Sequence, residues 1–144
     1  MKGATTAAER VNTDLMFRAF SDRTRLRILS LLQGGECCVG DLVGALRIEQ
    51  PSASRHLAYL RRAQLVVVRK AGLWSYYALA SARTPFHQKL LECLACCFAE
   101  VPEIQADQRR AREVRRSGGC CPEGRPAEAR RADTQRASGG CCPG

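Results

Sequence analysis

Large apolar residues stop at about residue 106, and that break limits how much of this chain can fold. Before it, Leu, Ile, Val and aromatic residues recur at helical and strand periods. After it comes DQRRAREVRRSGGCCPEGRPAEARRADTQRASGGCCPG, rich in Arg, Ala, Gly and Pro with almost no large apolar side chain. Such a tail cannot bury enough surface to offset the entropy of ordering it. The expected division is a disordered N-terminus over 1–8, one folded unit over 9–106, and a mostly disordered Cys/Arg/Gly-rich tail over 107–144. Within that tail, 107–116 have the composition to extend the preceding helix. The tail repeats SGGCCP at Ser117–Pro122 and Ser138–Pro143, copies too short to fold as repeats.

A length of 144 residues suits one small domain with appendages. The net charge of +9, from 23 basic and 14 acidic residues, points to an acidic partner, either nucleic acid or a membrane surface, and does not choose between them. The longest apolar runs, such as Leu65 to Val68, are too short to span a bilayer, so no membrane association is expected. MKGATTAAER at the N-terminus has no apolar signal region. A cytoplasmic location follows as the expectation. In a reducing cytosol, nine cysteines are ligands or redox groups rather than structural disulfides.

Periodicity outlines the folded part. Val11, Leu15, Met16 and Phe20 mark a first helix. Ser21 or Asp22 caps a second, whose Leu26, Ile28, Leu29 and Leu32 face inward until Gly34-Gly35 ends it. Val39, Leu42, Val43 and Leu46 follow the i, i+3, i+4, i+7 pattern of a short third helix. After a turn over Arg47 to Gln50, Pro51 opens a fourth helix running to about Ala63, with Ala53, Leu57 and Leu60 inside. VVVRKAGLWSYYAL reads as two strands, Val66–Arg69 and Trp74–Leu79, around a turn at Gly72. A last helix starts near Thr84-Pro85, with an apolar stripe of Phe86, Leu90, Leu94, Cys97 and Val101.

Two short helices joined by a tight turn and followed by a hairpin describe a winged helix-turn-helix. The polar face of the fourth helix offers Gln50, Ser52, Ser54, Arg55, His56, Tyr59 and Arg62, side chains that reach base edges or phosphates from a major groove. Arg69 and Lys70 add charge from the hairpin. Between Arg47 and Lys70, six basic residues (Arg47, Arg55, Arg61, Arg62, Arg69, Lys70) stand against one acid, Glu49.

FSDRTRLRILSLL, QPSASRHLAYLRRAQLV and GLWSYYAL closely resemble the ArsR/SmtB winged-helix repressors, over about residues 12 to 104. The resemblance implies a mainly α fold with a two-stranded β-wing, a homodimer built on the first and last helices, and binding of double-stranded operator DNA that a metal or metalloid abolishes. Gln64 departs from the pattern, which usually has Gly after the recognition helix. If the position requires positive φ, Gln costs about 1 kcal/mol there.

The cysteines are weighed within that resemblance. Arsenic-sensing members have ELCVCDL on the third helix; here the segment is ECCVGDL, so only Cys38 matches a family ligand and Cys37 stands where Leu would. Cys37 and Cys38 are therefore a second choice. On the last helix, Cys93 with Cys96 is i, i+3 and with Cys97 is i, i+4, placing each later sulfur one turn from the first. Three soft thiolates suit trivalent arsenic or antimony. Packing along a dimer stripe is the competing account of Cys93 and Cys97. Tetrahedral zinc on four thiolates from two subunits is the alternative ion. The tail pairs Cys120-Cys121 and Cys141-Cys142 can capture thiophilic ions and concentrate them nearby.

The expected function is a repressor released from its operator by As(III) or Sb(III). Two rivals stay open: a thiol redox-sensing repressor, and an arsenite carrier acting through the CC tail. No nucleophile–base pair or phosphate loop suggests an enzyme.

Overall fold

Residues 7–119 are described in the computed structural model, with side chains from Thr13 onward. The helices are α1 (Ala7–Phe20), α2 (Arg23–Leu32), α3 (Val39–Leu46), α4 (Gln50–Arg62), α5 (Pro85–Cys97) and α6 (Pro102–Arg116). The strands are β1 (Cys37–Cys38), β2 (Val66–Ala71) and β3 (Trp74–Leu79). This is the mainly helical, winged arrangement expected, with differences at both ends of the sequence reading.

The caps follow the sequence. The Asp22 carboxylate accepts from the Arg25 N–H (2.9 Å) and opens α2, while Thr84 Oγ1 accepts from the His87 N–H (3.1 Å) and opens α5. α4 has Pro51 in its first turn, where the missing N–H costs nothing. Ile28, Leu29, Leu42, Leu46, Leu57, Leu60, Leu65 and Leu94 are fully buried and join α2, α3, α4 and α5 in one core. The inward set on α4 is Ala53, Leu57 and Leu60, as its periodicity predicts.

The wing has a third strand. Antiparallel β2 and β3 pair from Val66 opposite Leu79 to Ala71 opposite Trp74. Gly72, at φ 62°, turns the chain at the tip beside Leu73, which is 82% exposed. β1 pairs with the other edge of β3, Cys37 opposite Tyr77 and Cys38 opposite Tyr76, giving the order β1-β3-β2. The two cysteines thus lie on a strand, and Cys38 is also the residue that caps α3.

The last helix also differs. The expected stripe from Phe86 to Val101 does not run on one helix. α5 stops at Cys97, and α6 begins at Pro102. Proline disfavours helical backbone in the residue before it, and Val101 is extended at φ −68°, ψ 119°. α6 packs on α2 and α3 with Ile104, Asp107 and Ala111 buried, so the folded unit does not end at 106. At the other end, Ala7 and Ala8 belong to α1 rather than to a disordered segment. The remaining disorder expectations, for 1–6 and 120–144, lie outside the described residues.

Charged side chains tie α6 to α2 and α3. Asp107, only 1% exposed, accepts from Arg27 Nε (2.7 Å) and Arg27 Nη2 (2.8 Å), and also from Arg110. The same guanidinia reach backbone on α3: Arg27 Nη2 donates to the Leu46 carbonyl (2.7 Å) and Arg110 Nε to the Ala45 carbonyl (2.6 Å). Glu103 adds pairs with Arg23 and Arg27. A buried carboxylate with this many charge-assisted donors is satisfied.

Candidate nucleic-acid interface and thiolate sites

Arg47 ends α3 in the left-handed region (φ 55°), its N–H bonding the Val43 carbonyl (2.9 Å), and the tight turn that follows sets the start of α4. With Ala53, Leu57 and Leu60 turned inward, the opposite face of α4 is presented outward. Gln50, Ser54, Arg55 and Arg62 are exposed there, and Ser52, His56 and Tyr59 are half-buried. The structure therefore places all seven α4 residues of the sequence reading on or beside one polar face.

Two of these side chains are positioned by α2. The Tyr59 ring lies beneath Arg25 (4.2 Å to the centroid) and Arg62 (5.0 Å), a stack that fixes the ring and both cations. Arg25 is itself tied to the Arg18 and Ala19 carbonyls (2.8 and 3.2 Å). It is a member of this cationic face that helical periodicity alone could not reveal. His56 Nδ1 is 3.9 Å from Asp22 Oδ1. Burial nonetheless holds the His56 pKa below its ordinary value, with Asp22 opposing and Arg25 and Arg55 adding to the lowering.

On the wing, Lys70 is exposed, but Arg69 is committed to its own chain. Its guanidinium makes a two-pronged pair with Glu36 (2.6 and 3.2 Å) and lies over the Tyr76 ring (4.6 Å). Lys70 is the better candidate for a phosphate.

The thiols fall into two groups among the described residues. Cys96 and Cys97 are exposed at the last turn of α5, with sulfurs 3.8 Å apart, and Cys93 is half-buried one turn earlier. The Cys96 thiol also donates to the Glu92 carbonyl (3.1 Å), and its neighbour Cys97 pushes its pKa up. Cys37 and Cys38 are buried on β1. Cys38 caps α3, its sulfur accepting from the Asp41 N–H (3.4 Å), and packs with Tyr76; Cys37 joins the main core, its sulfur 3.5 Å from Arg115 Nη2. Burial pushes the Cys37 thiol up, and Arg115 works against it. Among the described residues, no three His, Cys, Asp or Glu side chains are gathered as a metal ion would need. Cys120, Cys121, Cys141 and Cys142 lie outside the described residues. No described helix is long and apolar enough to cross a membrane.

At its other end α5 presents an aromatic contact to α1. Phe86 meets Phe17 of α1 at 4.9 Å between ring centroids, yet Phe17 remains 59% exposed.

Comparison with known proteins places these features. Residues 22–68 match the model described as bacterial regulatory protein, arsR family. The chain is 38% identical over 104 residues to the arsenical resistance operon repressor of Escherichia coli K12, covering 72% of this chain and 87% of that one. It is 44% identical over 66 residues to the arsenic resistance transcriptional regulator ArsR1 of Pseudomonas putida, covering 45% of this chain and 52% of that one. Among solved structures, HlyU from Vibrio cholerae N16961 superposes with a TM-score of 0.56 at 29% identity, covering 66% of this chain and all of that one.

Proposed function

Because the chain belongs to the arsR family of bacterial regulatory proteins, we propose that it is a homodimeric, DNA-binding transcriptional repressor released from its operator by trivalent arsenic or antimony on Cys93, Cys96 and Cys97. The observation that carries this reading is the outward face of α4, where Arg55, Arg62, Gln50 and Ser54 stand exposed, together with the exposed Lys70 of the wing. A helix so presented fits a major groove, its polar side chains reading base edges while the cations hold phosphates. Two copies related by a two-fold axis put two such helices in successive grooves of a near-palindromic site.

The switch is argued from the position of the α5 thiols. They lie in the last two turns before α5 ends at Phe98. A helix end frays at lower cost than a helix middle, so drawing three sulfurs around one ion distorts only that end. The same helix carries Phe86 and packs on α1, the apolar face expected to meet a second copy. Ligation there alters the spacing of the two reading helices, and a coupling of about 1–3 kcal/mol suffices for a useful shift in operator occupancy.

The test is fluorescence anisotropy of the reduced protein on its own promoter DNA, titrated with arsenite, antimonite, zinc and peroxide. Release by arsenite or antimonite is expected, and Cys93, Cys96 and Cys97 changed together to Ser should bind DNA normally but no longer let go. Retained release in that variant would move the switch off α5. Release by peroxide alone would make the protein a redox regulator.

A further inference from the structure

α6 has two faces built on one spacing. Ile104, Asp107 and Ala111 are buried, with α6 packed on α2 and α3. Arg109, Arg112 and Arg116 repeat the same i, i+3, i+7 pattern from a point about 140° further round the axis, and all three are exposed. The row they form is about 10 Å long. Glu113 stands in it as well, so three arginines against one acid leave a net charge of +2. With Ala106 and Arg110, these side chains border an open cavity of about 480 Å³.

The contacts that hold α6 use other arginines. Arg23, Arg27 and Arg110 pair with Glu103 or Asp107, and Arg115 contacts Cys37. Among the described residues, no acid pairs with Arg109, Arg112 or Arg116. Like charges three and four positions apart on a helix repel one another, a cost that a polyanion lying along the row removes.

The placement of the row selects the polyanion. Arg110 donates to the Ala45 carbonyl (2.6 Å), and Arg27, which also holds Asp107 of α6, donates to the Leu46 carbonyl (2.7 Å). The middle of α6 is thereby fixed at the end of α3, where the turn into α4 begins. Arg47 is exposed at that turn, and Gln50 opens α4 directly after it. A cationic row tied to the base of a helix that enters a groove is suited to the phosphate strand bordering the groove. Charges on one strand recur every ~3.4 Å of duplex axis, so the row matches more than one of them. Planar guanidinia, moreover, take phosphate oxygens two at a time.

We propose that Arg109, Arg112 and Arg116 form a second DNA-contacting surface, which holds the phosphate backbone next to the groove that α4 reads. The inference rests on the repressor reading given above and adds an element to it. α4 supplies the base contacts, whereas α6 supplies affinity that carries no sequence information.

Fluorescence anisotropy of the reduced full-length protein over a series of salt concentrations tests this, on its own promoter duplex and on a duplex of scrambled sequence. Arg109, Arg112 and Arg116 changed together to Gln should weaken binding at least about tenfold on both duplexes. The slope of log affinity against log salt should fall by at least about two. Preference for the promoter should stay the same, because phosphate contacts are blind to sequence. Arg83→Gln removes an exposed cation outside α4, the wing and α6, and should leave the slope unchanged. The urea midpoint of the triple variant should hold, since all three side chains are exposed. If the wild type binds DNA and the triple variant keeps its slope, the α6 surface is overturned while the α4 reading stands. Equal slope losses from Arg83→Gln and from each single α6 change would also overturn it, by showing an effect of overall charge. An unchanged DNA slope with lost binding to anionic phospholipid vesicles would assign the row to a membrane surface instead. Failure of the wild type to bind either duplex would overturn both readings.

Discussion

Gln64 sits at φ 62°, following α4 in a left-handed conformation, with its N–H on the Arg61 carbonyl and the Leu65 N–H on the Leu60 carbonyl (both 3.0 Å). These two bonds close the helix as a glycine would, but an L-residue with a Cβ pays about 1–2 kcal/mol for that backbone. Gln64→Gly should therefore raise stability by about 1 kcal/mol, after the extra freedom of glycine in the unfolded chain is subtracted. A higher urea midpoint at unchanged slope would show it. A lower midpoint would mean that the Gln64 side chain contributes more than the backbone costs.

A second residue-scale expectation concerns His56 and His87. Burial holds both pKa values below the ordinary 6.5, helped by Arg83 at His87 and opposed by Asp22 at His56. The His87 Nε2 is buried without a hydrogen-bond partner among the described residues, a setting that disfavours the imidazolium. The folded chain then binds fewer protons than the unfolded one below pH 6.5. Stability should fall as pH drops through that window and level off below the folded values. Urea midpoints measured across the window would check this, and His87→Asn should flatten the curve.

Among the elements, α6 was the least legible in the sequence. Its buried face consists of Ile104, Asp107 and Ala111, so a search for large apolar side chains passes over it. The spacing i, i+3, i+7 was there to be found, as was Pro102, which marks the break from α5. Which arginine among many would meet Asp107 was not readable, because Arg27 lies 80 positions away. Asp107→Ala should cost about 3 kcal/mol, the lower end for breaking a buried pair, since Arg27 and Arg110 keep their carbonyl partners. Chemical denaturation would measure this, with hydrogen exchange showing whether α6 alone is freed. A loss below about 1 kcal/mol would mean that apolar packing suffices. It follows that a chain ending at Ala106 loses part of the fold, and one ending at Gly119 is the proper means of removing the tail.

At the scale of the whole molecule, the exposed Phe17 beside Phe86 is the surface on which the proposed dimer depends. Phe17→Asp should shift the protein toward monomer in sedimentation equilibrium and weaken operator binding, because single half-sites lose the second reading helix. An unchanged dimer would place the interface elsewhere. The salt dependence of binding should be steep, and Arg62→Ala should reduce its slope by about one phosphate contact.

The helix-turn-helix, the hairpin and the polar face of α4 are legible in the sequence, because they depend on contacts three or four residues apart and on the alternation of a strand. The chain's own periodicity and the Gln-Pro-Ser-x-Ser start of α4 were enough. The folded chain was needed to see that β1 joins the sheet, that Arg69 pairs with Glu36, and that α6 folds back across α2 and α3. Each of these joins residues far apart in sequence through charge or strand pairing. Local pattern does not encode such partners, because the free energy that selects them exists only once the core has brought the segments together.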